Sequence, residues 1–269
     1  ASKDWVIRQY DHEVRGKTAL KPIQGPIGKD SPGDSSVLKP VENSWKGLAL
    51  TADVNPYLME ANPYHGTMSA VEEVCRNLAA VGARIDSLAD CLCFGNPRKP
   101  DIMGQFKASC EALRDAATAI DVPYVSGNVS LYNETVEGAI PPTPVLMGVG
   151  IVDDIRKCTT SDMKNEGTIW LVGDTKGEMG ASLYYRTIEK ECPSIPKTDF
   201  DSFIPRMEQL IMAIEHGEVV ACHDISTGGL AMAIIEMCMS GNGANINLAG
   251  EMRADVELFS ESNVRWIVQ

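Results

Sequence analysis

GTMSAVEEVCRNLAAVG (residues 66–82) is the stretch that decides the fold class of this chain. Its apolar side chains recur at helical spacing, at Val71, Val74, Cys75 and Leu78. They predict a helix with one buried face, and Gly82 is suited to be the residue that ends it.

The segments around this helix alternate between strand and helix patterns. A strand is predicted at residues 47–51, before the helix, and a short apolar segment follows it at residues 85–92. A second helix is predicted over residues 101–120, and apolar residues 122–125 come directly after it. Strands that alternate with helices predict an α/β domain. The opening residues, 4–14, are rich in β-forming side chains and predict a further strand.

A polar connection at residues 153–167 divides the chain. We therefore expect a first domain over residues 1–155 and a second over residues 156–269. The second again alternates, with a strand predicted at residues 168–172 and a helix at residues 203–216.

Composition excludes several classes of protein. The 269 residues include 24 Lys and Arg against 37 Asp and Glu, a net charge of −13, which excludes a nucleic-acid binder that works through a basic surface. No apolar run has the length of a membrane span, and we expect no signal peptide. The eight cysteines lack the dense spacing of secreted scaffolds, so we expect free thiols in the cytoplasm.

The segment CHDISTGGL (residues 222–230) is the first candidate site, because it lies between a predicted strand and a predicted helix. Backbone N–H groups at such a turn favour an anion. Asp224 offers a hard oxygen for Mg²⁺, and Ser226 offers a hydroxyl for a phosphate. Alternatively, either side chain simply caps the helix.

Glu73 and Asn77 form a second candidate, because they lie four residues apart on the face opposite the apolar stripe. Two oxygen-bearing side chains at this spacing can reach one ion. The alternative is a solvated helix face, on which Arg76 serves as a surface ion-pair partner.

The segment SGNVS (residues 126–130) is a third candidate, directly after a predicted strand. Ligands of α/β sheets gather at the carboxyl ends of strands, so the Asn128 amide and the Ser130 hydroxyl are expected to face a crevice. Gly127 permits close backbone approach, and Asp90 ends another apolar segment. An ordinary turn is the alternative. From the residues alone we expect a two-domain α/β protein that binds a nucleotide through Mg²⁺.

Segments along nearly the whole chain resemble, in the same order, the phosphoribosylformylglycinamidine synthase family, in the second half of its synthetase subunit. The most specific are SGNVSLYNET (126–135) and ADCLCFGNPRKPDIMGQF (89–106), joined by NPYHGTMSAVEEVCRNLAAVGA (62–83) and HDISTGGLAMAIIE (223–236). The resemblance implies a ligase of purine biosynthesis that converts formylglycinamide ribonucleotide, ATP and ammonia from glutamine to the amidine. It also implies a glutaminase subunit and a small accessory subunit as partners.

The resemblance implies a fold as well, that of the aminoimidazole ribonucleotide synthetase-like superfamily. A ferredoxin-like A domain, residues 1–155, would precede an α/β sandwich B domain, residues 156–269, which is cut short at its end. The family carries two such pairs in tandem, and this chain would be the second. Because the family's catalytic His belongs to the first, we assign no catalytic residue here and expect the chain alone to be inactive.

Site residues follow from the resemblance residue by residue. It implies that Asp90 and Gly127 contact ATP, that Asn128 ligates Mg²⁺ and that Ser130 contacts the ribonucleotide. In larger members a second nucleotide is held, partly through Mg²⁺, by the residues that match Asp11, Glu73, Asn77, Asp224 and Ser226.

The chain departs from the family's pattern at two of its motifs. Cys93 stands where the family usually has Asn, so one amide contact is missing. Thr227 stands where Asp is common, which weakens the expected second site.

Two other functions remain open at this point. One is a non-catalytic scaffold whose bound Mg-nucleotide supports assembly with the glutaminase, and the other is an aminoimidazole ribonucleotide synthetase, against which the SGNVSLYNET segment argues. An isolated chain could also form a homodimer through exposed apolar surface.

Overall fold

The computed structural model describes residues 4–9, 13–164, 166–248 and 250–269. Its strands, in chain order, are β1 (Thr18–Leu20), β2 (Ile23–Gln24), β3 (Ser31–Pro32), β4 (Ser36–Leu38), β5 (Gly47–Asp53), β6 (Arg84–Cys93), β7 (Tyr124–Ser130), β8 (Glu134–Thr135), β9 (Gly138–Ala139), β10 (Thr143–Val152), β11 (Trp170–Val172), β12 (Cys222–Asp224) and β13 (Trp266–Val268). The helices are α1 (Asp4–Gln9), α2 (Pro56–Ala61), α3 (Pro63–Ala80), α4 (Pro100–Ile120), α5 (Leu183–Thr187), α6 (Phe200–His216), α7 (Gly229–Cys238) and α8 (Ala254–Phe259).

The predicted helix at residues 66–81 is confirmed as α3, which begins three residues earlier. Pro63 stands in the first turn, and the Asn62 side chain accepts a hydrogen bond from the His65 N–H, so the local chemistry of a helix start explains the extension. The apolar stripe is fully buried, and Gly82, at φ +80°, follows the end of the helix. The second predicted helix is confirmed as α4.

The larger sheet has the strand order β1-β4-β5-β10-β6-β7. The β6 and β7 strands are parallel, and the other neighbouring pairs are antiparallel. Helix α3 packs on β5, β10 and β6, with α4 beside it. This mixed α/β architecture confirms the predicted fold class.

The smaller sheet has the order β11-β13-β12, with both pairs antiparallel. Its central strand, β13, is buried throughout, and Trp266 stacks on Phe203 of α6. The Trp266 indole N–H also donates to the backbone oxygen of Arg76 in α3, at 3.1 Å. Helix α3 therefore lies between the two sheets and contacts both of them.

The strand predicted within residues 4–14 is wrong for the described part of that segment, because Asp4–Gln9 is helix α1. Residues 5–9 are exposed. A β-forming side chain favours a strand only where it has a half-buried sheet surface to fit, and these residues have none. No helix among the described residues is long and apolar enough to cross a membrane.

Candidate functional site

The β6 and β7 strands bring the Asp90 and SGNVS segments together. Their parallel register pairs Asp90 with Gly127, and Cys91 and Cys93 with Asn128 and Ser130 respectively. Successive side chains of a strand point to opposite faces of the sheet. Asp90 therefore lies on one face, while Asn128 and Ser130 lie on the other.

Asp90 packs directly over Gly127. A Cβ atom added at position 127 would lie 2.7 Å from Asp90 Oδ2, so any other residue there would require the Asp90 side chain to shift. Burial raises the pKa of Asp90, and a hydrogen bond from the Asn128 backbone N–H opposes that rise. This hydrogen bond holds the backbone of Asn128 in place.

The opposite face presents Asn128 and Ser130 to the outside. The Asn128 amide Nδ2 donates to Cys91 Sγ at 3.4 Å, so its amide oxygen lies on the side away from the thiol. Cys91 Sγ and Cys93 Sγ lie 3.7 Å apart on the same face. The thiol of Cys93 thus stands in the row of polar groups where the resemblance implies an amide.

Two side chains hold the CLCFGNP and NVSLYNE segments against each other. Asn133 Nδ2 donates to the backbone oxygens of Phe94, at 3.0 Å, and Ser130, at 2.9 Å. Glu134 accepts a hydrogen bond from the Asn96 N–H at 2.7 Å and pairs with Lys99 at 2.9 Å. The two segments are therefore held together, since each carries hydrogen-bond partners of the other.

The other candidate residues meet in a buried cluster of charges between α3 and β12, and Arg76 lies at its centre. Its side chain contacts three carboxylates: Nε donates to Asp224 Oδ2 at 3.1 Å, Nη1 donates to Glu72 Oε2 at 2.5 Å, and Nη2 lies 3.8 Å from Glu73 Oε2. Arg76 is 1% exposed. It is a buried ion-pair centre and not the surface partner that the solvated-face alternative assumed.

Asp53 and Asn77 extend this cluster. The Asn77 amide Nδ2 donates to Asp53 Oδ2 at 3.3 Å, and its buried Oδ1 has no hydrogen-bond partner among the described residues. Asp53 and Glu73 are themselves hydrogen-bonded. Burial first, and then the neighbouring Asp53 carboxylate, raise the pKa of Glu73 well above its usual value.

His223 is bound by carboxylates at both ring nitrogens. Its Nδ1 lies 2.7 Å from Asp34 Oδ1, and its Nε2 lies 3.1 Å from Glu236 Oε2. Burial opposes protonation, but Asp34 and Glu236 together raise the pKa of His223 well above its usual value. Asp34, His223 and Asp224 offer ligand atoms within 4.8 Å of one another, but both ring nitrogens of His223 already face carboxylates, those of Asp34 and Glu236.

The side chain of Glu261 lies at the turn that follows β12. Glu261 Oε1 accepts hydrogen bonds from the backbone N–H groups of Gly228 and Leu183, each at 2.8 Å. Gly228 is the N-cap residue of α7, with φ +85°. Ser226, Thr227, Glu73, Arg76 and Glu261 line a cavity of about 10 Å³ here. That is room for about one water molecule.

The two places differ in how well they suit Mg²⁺. At β7 the exposed amide of Asn128 suits the ion, because protein-bound Mg²⁺ commonly takes one or two protein oxygens and completes its shell with phosphate and water. At the buried cluster the donor set does not fit the ion, because the guanidinium of Arg76 already lies among the oxygens of Glu72, Glu73 and Asp224.

The residues that the sequence pattern singled out include part of the buried cluster but not all of it. Glu73, Asn77 and Asp224 come together, as expected, whereas Asp11 lies outside the described residues. The missed members are Asp34, Asp53, Glu72, Glu236 and Glu261. An Asp at the end of a strand-like run, as in LTADVNP (residues 50–56), was an available signal for Asp53. Asp34 lies 189 residues from His223 and carries no such local signal.

Comparison with known families decides the assignment. Residues 32–152 match the N-terminal domain of the AIR synthase related protein family, and residues 168–267 match its C-terminal domain. The chain belongs to this family.

Within the AIR synthase related family, the chain is similar to one kind of enzyme subunit in particular. It is 43% identical, over 274 aligned residues, to the phosphoribosylformylglycinamidine synthase subunit PurL of Thermococcus sibiricus. The alignment covers 99% of this chain and 37% of that relative, so the chain spans little more than a third of its length. The resemblance noted from the sequence segments is thereby confirmed.

Solved structures show the same fold. The chain matches Thermotoga maritima PurL complexed with ATP at a TM-score of 0.68 and 20% identity, covering 100% of this chain and 37% of the other. It matches T. maritima PurL complexed with FGAR at a TM-score of 0.65 and 21% identity, covering 100% and 36%. At these identities the matches speak for the fold, and they agree with the mixed α/β architecture.

Proposed function

We propose that this chain is one part of a longer ATP-dependent ligase that converts formylglycinamide ribonucleotide, ammonia and ATP to formylglycinamidine ribonucleotide, ADP and phosphate. The observation that carries the proposal is the edge formed by β6 and β7, where Gly127, Asn128 and Ser130 follow one another beside Asp90. The identity of 43% with a PurL subunit supports the same reaction.

In the proposed reaction, ATP activates the amide oxygen of formylglycinamide ribonucleotide. That oxygen attacks the γ-phosphorus of ATP, and ADP leaves. Ammonia then adds to the amide carbon, and the oxygen departs with the phosphate, which leaves the amidine. Bound Mg²⁺ would offset the phosphate charge.

The residues of this chain would bind and position the reactants. Asn128 would hold the metal through its amide oxygen, and the Ser130 hydroxyl would orient the ribonucleotide. Asp90 and Gly127 would contact ATP. Asp90 would also keep Asn128 in place, because it accepts the Asn128 backbone N–H.

Several finer features belong to the same proposal. A glutaminase subunit would supply the ammonia in the cytoplasm, and a small accessory subunit would complete the assembly. The chain alone would be inactive, since its relatives are nearly three times as long and the resemblance places the catalytic His in their other half. We also propose that the face of β7 that carries Val125, at 68% exposure, Gly127 and Val129, at 51%, contacts that other half or a second copy of this chain.

The test uses a protein that contains this chain within the complete synthetase subunit. We expect Asn128→Ala to lower kcat/KM for ATP by about tenfold or more and to raise the Mg²⁺ concentration that the reaction requires, as expected when a metal-positioning oxygen is lost. Asn43→Ala, at an exposed position in the loop before β5, is the matched control and should leave both quantities unchanged. Equal kinetics for the two variants would contradict the proposal.

A further inference from the structure

We propose that Arg76 and Glu261 take the places of the metal ion and the phosphate at the second nucleotide site that the family resemblance implies. The buried centre between α3 and β12 would then hold its fold with its own side chains and bind no nucleotide. This inference is independent of the proposed catalytic function, which concerns β6 and β7.

Arg76 satisfies the carboxylates that a divalent ion would have joined. Three carboxyl groups, those of Glu72, Glu73 and Asp224, lie within 4 Å of its guanidinium nitrogens. All four side chains are largely buried, with the most exposed, Glu73, at 14%. A second cation among the same oxygens would be repelled by the guanidinium at short range and low dielectric. The metal and Arg76 therefore exclude each other.

Glu261 satisfies the N–H groups that a phosphate would have used. The first turn of a helix offers unpaired N–H groups and a positive dipole end, which attract an anion. At α7 the Gly228 N–H is already bound to Glu261 Oε1, which also accepts the Leu183 N–H. A phosphate at this turn would have to displace a carboxylate that is held by two hydrogen bonds.

The space around these groups leads to the same conclusion. The cavity that Ser226 and Thr227 share with Glu73, Arg76 and Glu261 has a volume of about 10 Å³. Sites for small molecules and cofactors usually measure about 300–1,000 Å³. A nucleotide would therefore require α7 and its neighbours to move apart.

Thermal unfolding of the full chain tests the metal half of the proposal. We compare MgCl2 with NaCl at equal ionic strength. The wild type should unfold at the same temperature in both salts. Arg76→Ala exposes three carboxylates to one another, so it should unfold at a lower temperature and regain about 4 °C or more in MgCl2.

Two variants serve as controls for that gain. Arg84→Ala removes another paired arginine, one that contacts Glu208 and Glu215, and should not respond to Mg²⁺. Arg76→Lys keeps the positive charge at the centre, so its unfolding temperature should not depend on Mg²⁺ either. This variant can be measured even if Arg76→Ala does not fold. A Mg²⁺ response of Arg76→Lys or Arg84→Ala that equals the response of Arg76→Ala would overturn the proposal, as would a folded Arg76→Ala without any response.

Crystals of the wild-type chain soaked in Mg-ADP test the nucleotide half. We expect no nucleotide density between α3 and α7, and Arg76 should keep its contacts with Asp224 and Glu72. Density for ADP or for a metal at Glu73, Asp224 or Ser226 would overturn the inference. Density near Asn128 alone would support it, because it would show that the soak reached the protein.

Discussion

At the scale of single residues, the contact between Asp90 and Gly127 shows what a side chain at position 127 of β7 would displace. The backbone of Gly127 is ordinary extended strand, so its conformation does not require glycine. A Cβ atom there would, however, lie 2.7 Å from Asp90 Oδ2 and 3.1 Å from its carboxyl carbon, so the Asp90 side chain would have to shift out of its present place.

We therefore expect Gly127→Ala to lower the free energy of unfolding by about 1–3 kcal/mol, the usual cost of overpacking. Gly104→Ala is the matched control. Gly104 lies inside α4, and a Cβ there would meet no atom within 4 Å, so this change should raise stability by roughly 0.5–1 kcal/mol. Urea unfolding of the two variants measures both effects. A loss of stability at position 104 equal to that at position 127 would contradict the steric explanation.

At the scale of elements, Glu72 shows how α3 is joined to the second sheet. Its Oε2 accepts a hydrogen bond from Arg76, and its Oε1 accepts one from the backbone N–H of Val264, at 3.1 Å, two residues before β13. One fully buried carboxylate thus connects two elements that are 192 residues apart in sequence.

Removal of that carboxylate should be costly. Glu72→Ala leaves Arg76 with one close partner fewer and the Val264 N–H unpaired, and we expect a loss of about 3–5 kcal/mol in the free energy of unfolding. Glu111→Ala, which removes an exposed partner of Lys107 in α4, should cost less than about 1 kcal/mol. Denaturant unfolding of both variants measures these changes. Losses of similar size in the free energy of unfolding would show that Glu72 does not stabilise the contact between α3 and the second sheet.

Helices α3 and α4 and strand β6 could be predicted from the sequence because their signals are local. The apolar stripe of α3 and the alternation of strands and helices need only neighbouring residues. The role of Arg76 could not be predicted in this way. A helical repeat shows that Glu73 and Asn77 share a face, but it does not show that this face is covered by β12, more than 140 residues further along the chain.

The candidate binding residues of β7 were singled out for a similar reason. Asn128 and Ser130 both follow the apolar run at residues 122–125 in the sequence, and the end of a strand is where ligands bind in α/β sheets. In the structure the strand continues further, and Asn128 and Ser130 lie within the last three residues of β7. Alternation along β6 and β7 also places Asp90 on the other face from Asn128, which became apparent only from the register of the two strands. The domain boundary near residue 155 stays a prediction, although the two family matches, 32–152 and 168–267, leave a gap around it.

At the scale of the whole molecule, the charge of −13 has two different consequences. Part of it is buried between α3 and β12, where the guanidinium of Arg76 lies among the carboxylates of Glu72, Glu73 and Asp224. At β7, in contrast, the two candidate binding groups are uncharged, namely the amide of Asn128 and the hydroxyl of Ser130. A nucleotide at this strand would need Mg²⁺ to balance its phosphates.

The most direct test of the proposed function follows one oxygen atom. In the complete synthetase subunit that contains this chain, formylglycinamide ribonucleotide labelled with ¹⁸O at the reacting amide is converted with ATP and ammonia. The account predicts that the label appears in inorganic phosphate, because the amide oxygen leaves with the phosphoryl group, and that Asn128→Ala slows this transfer in proportion to product formation. Label released to water, with unlabelled phosphate, would contradict the account.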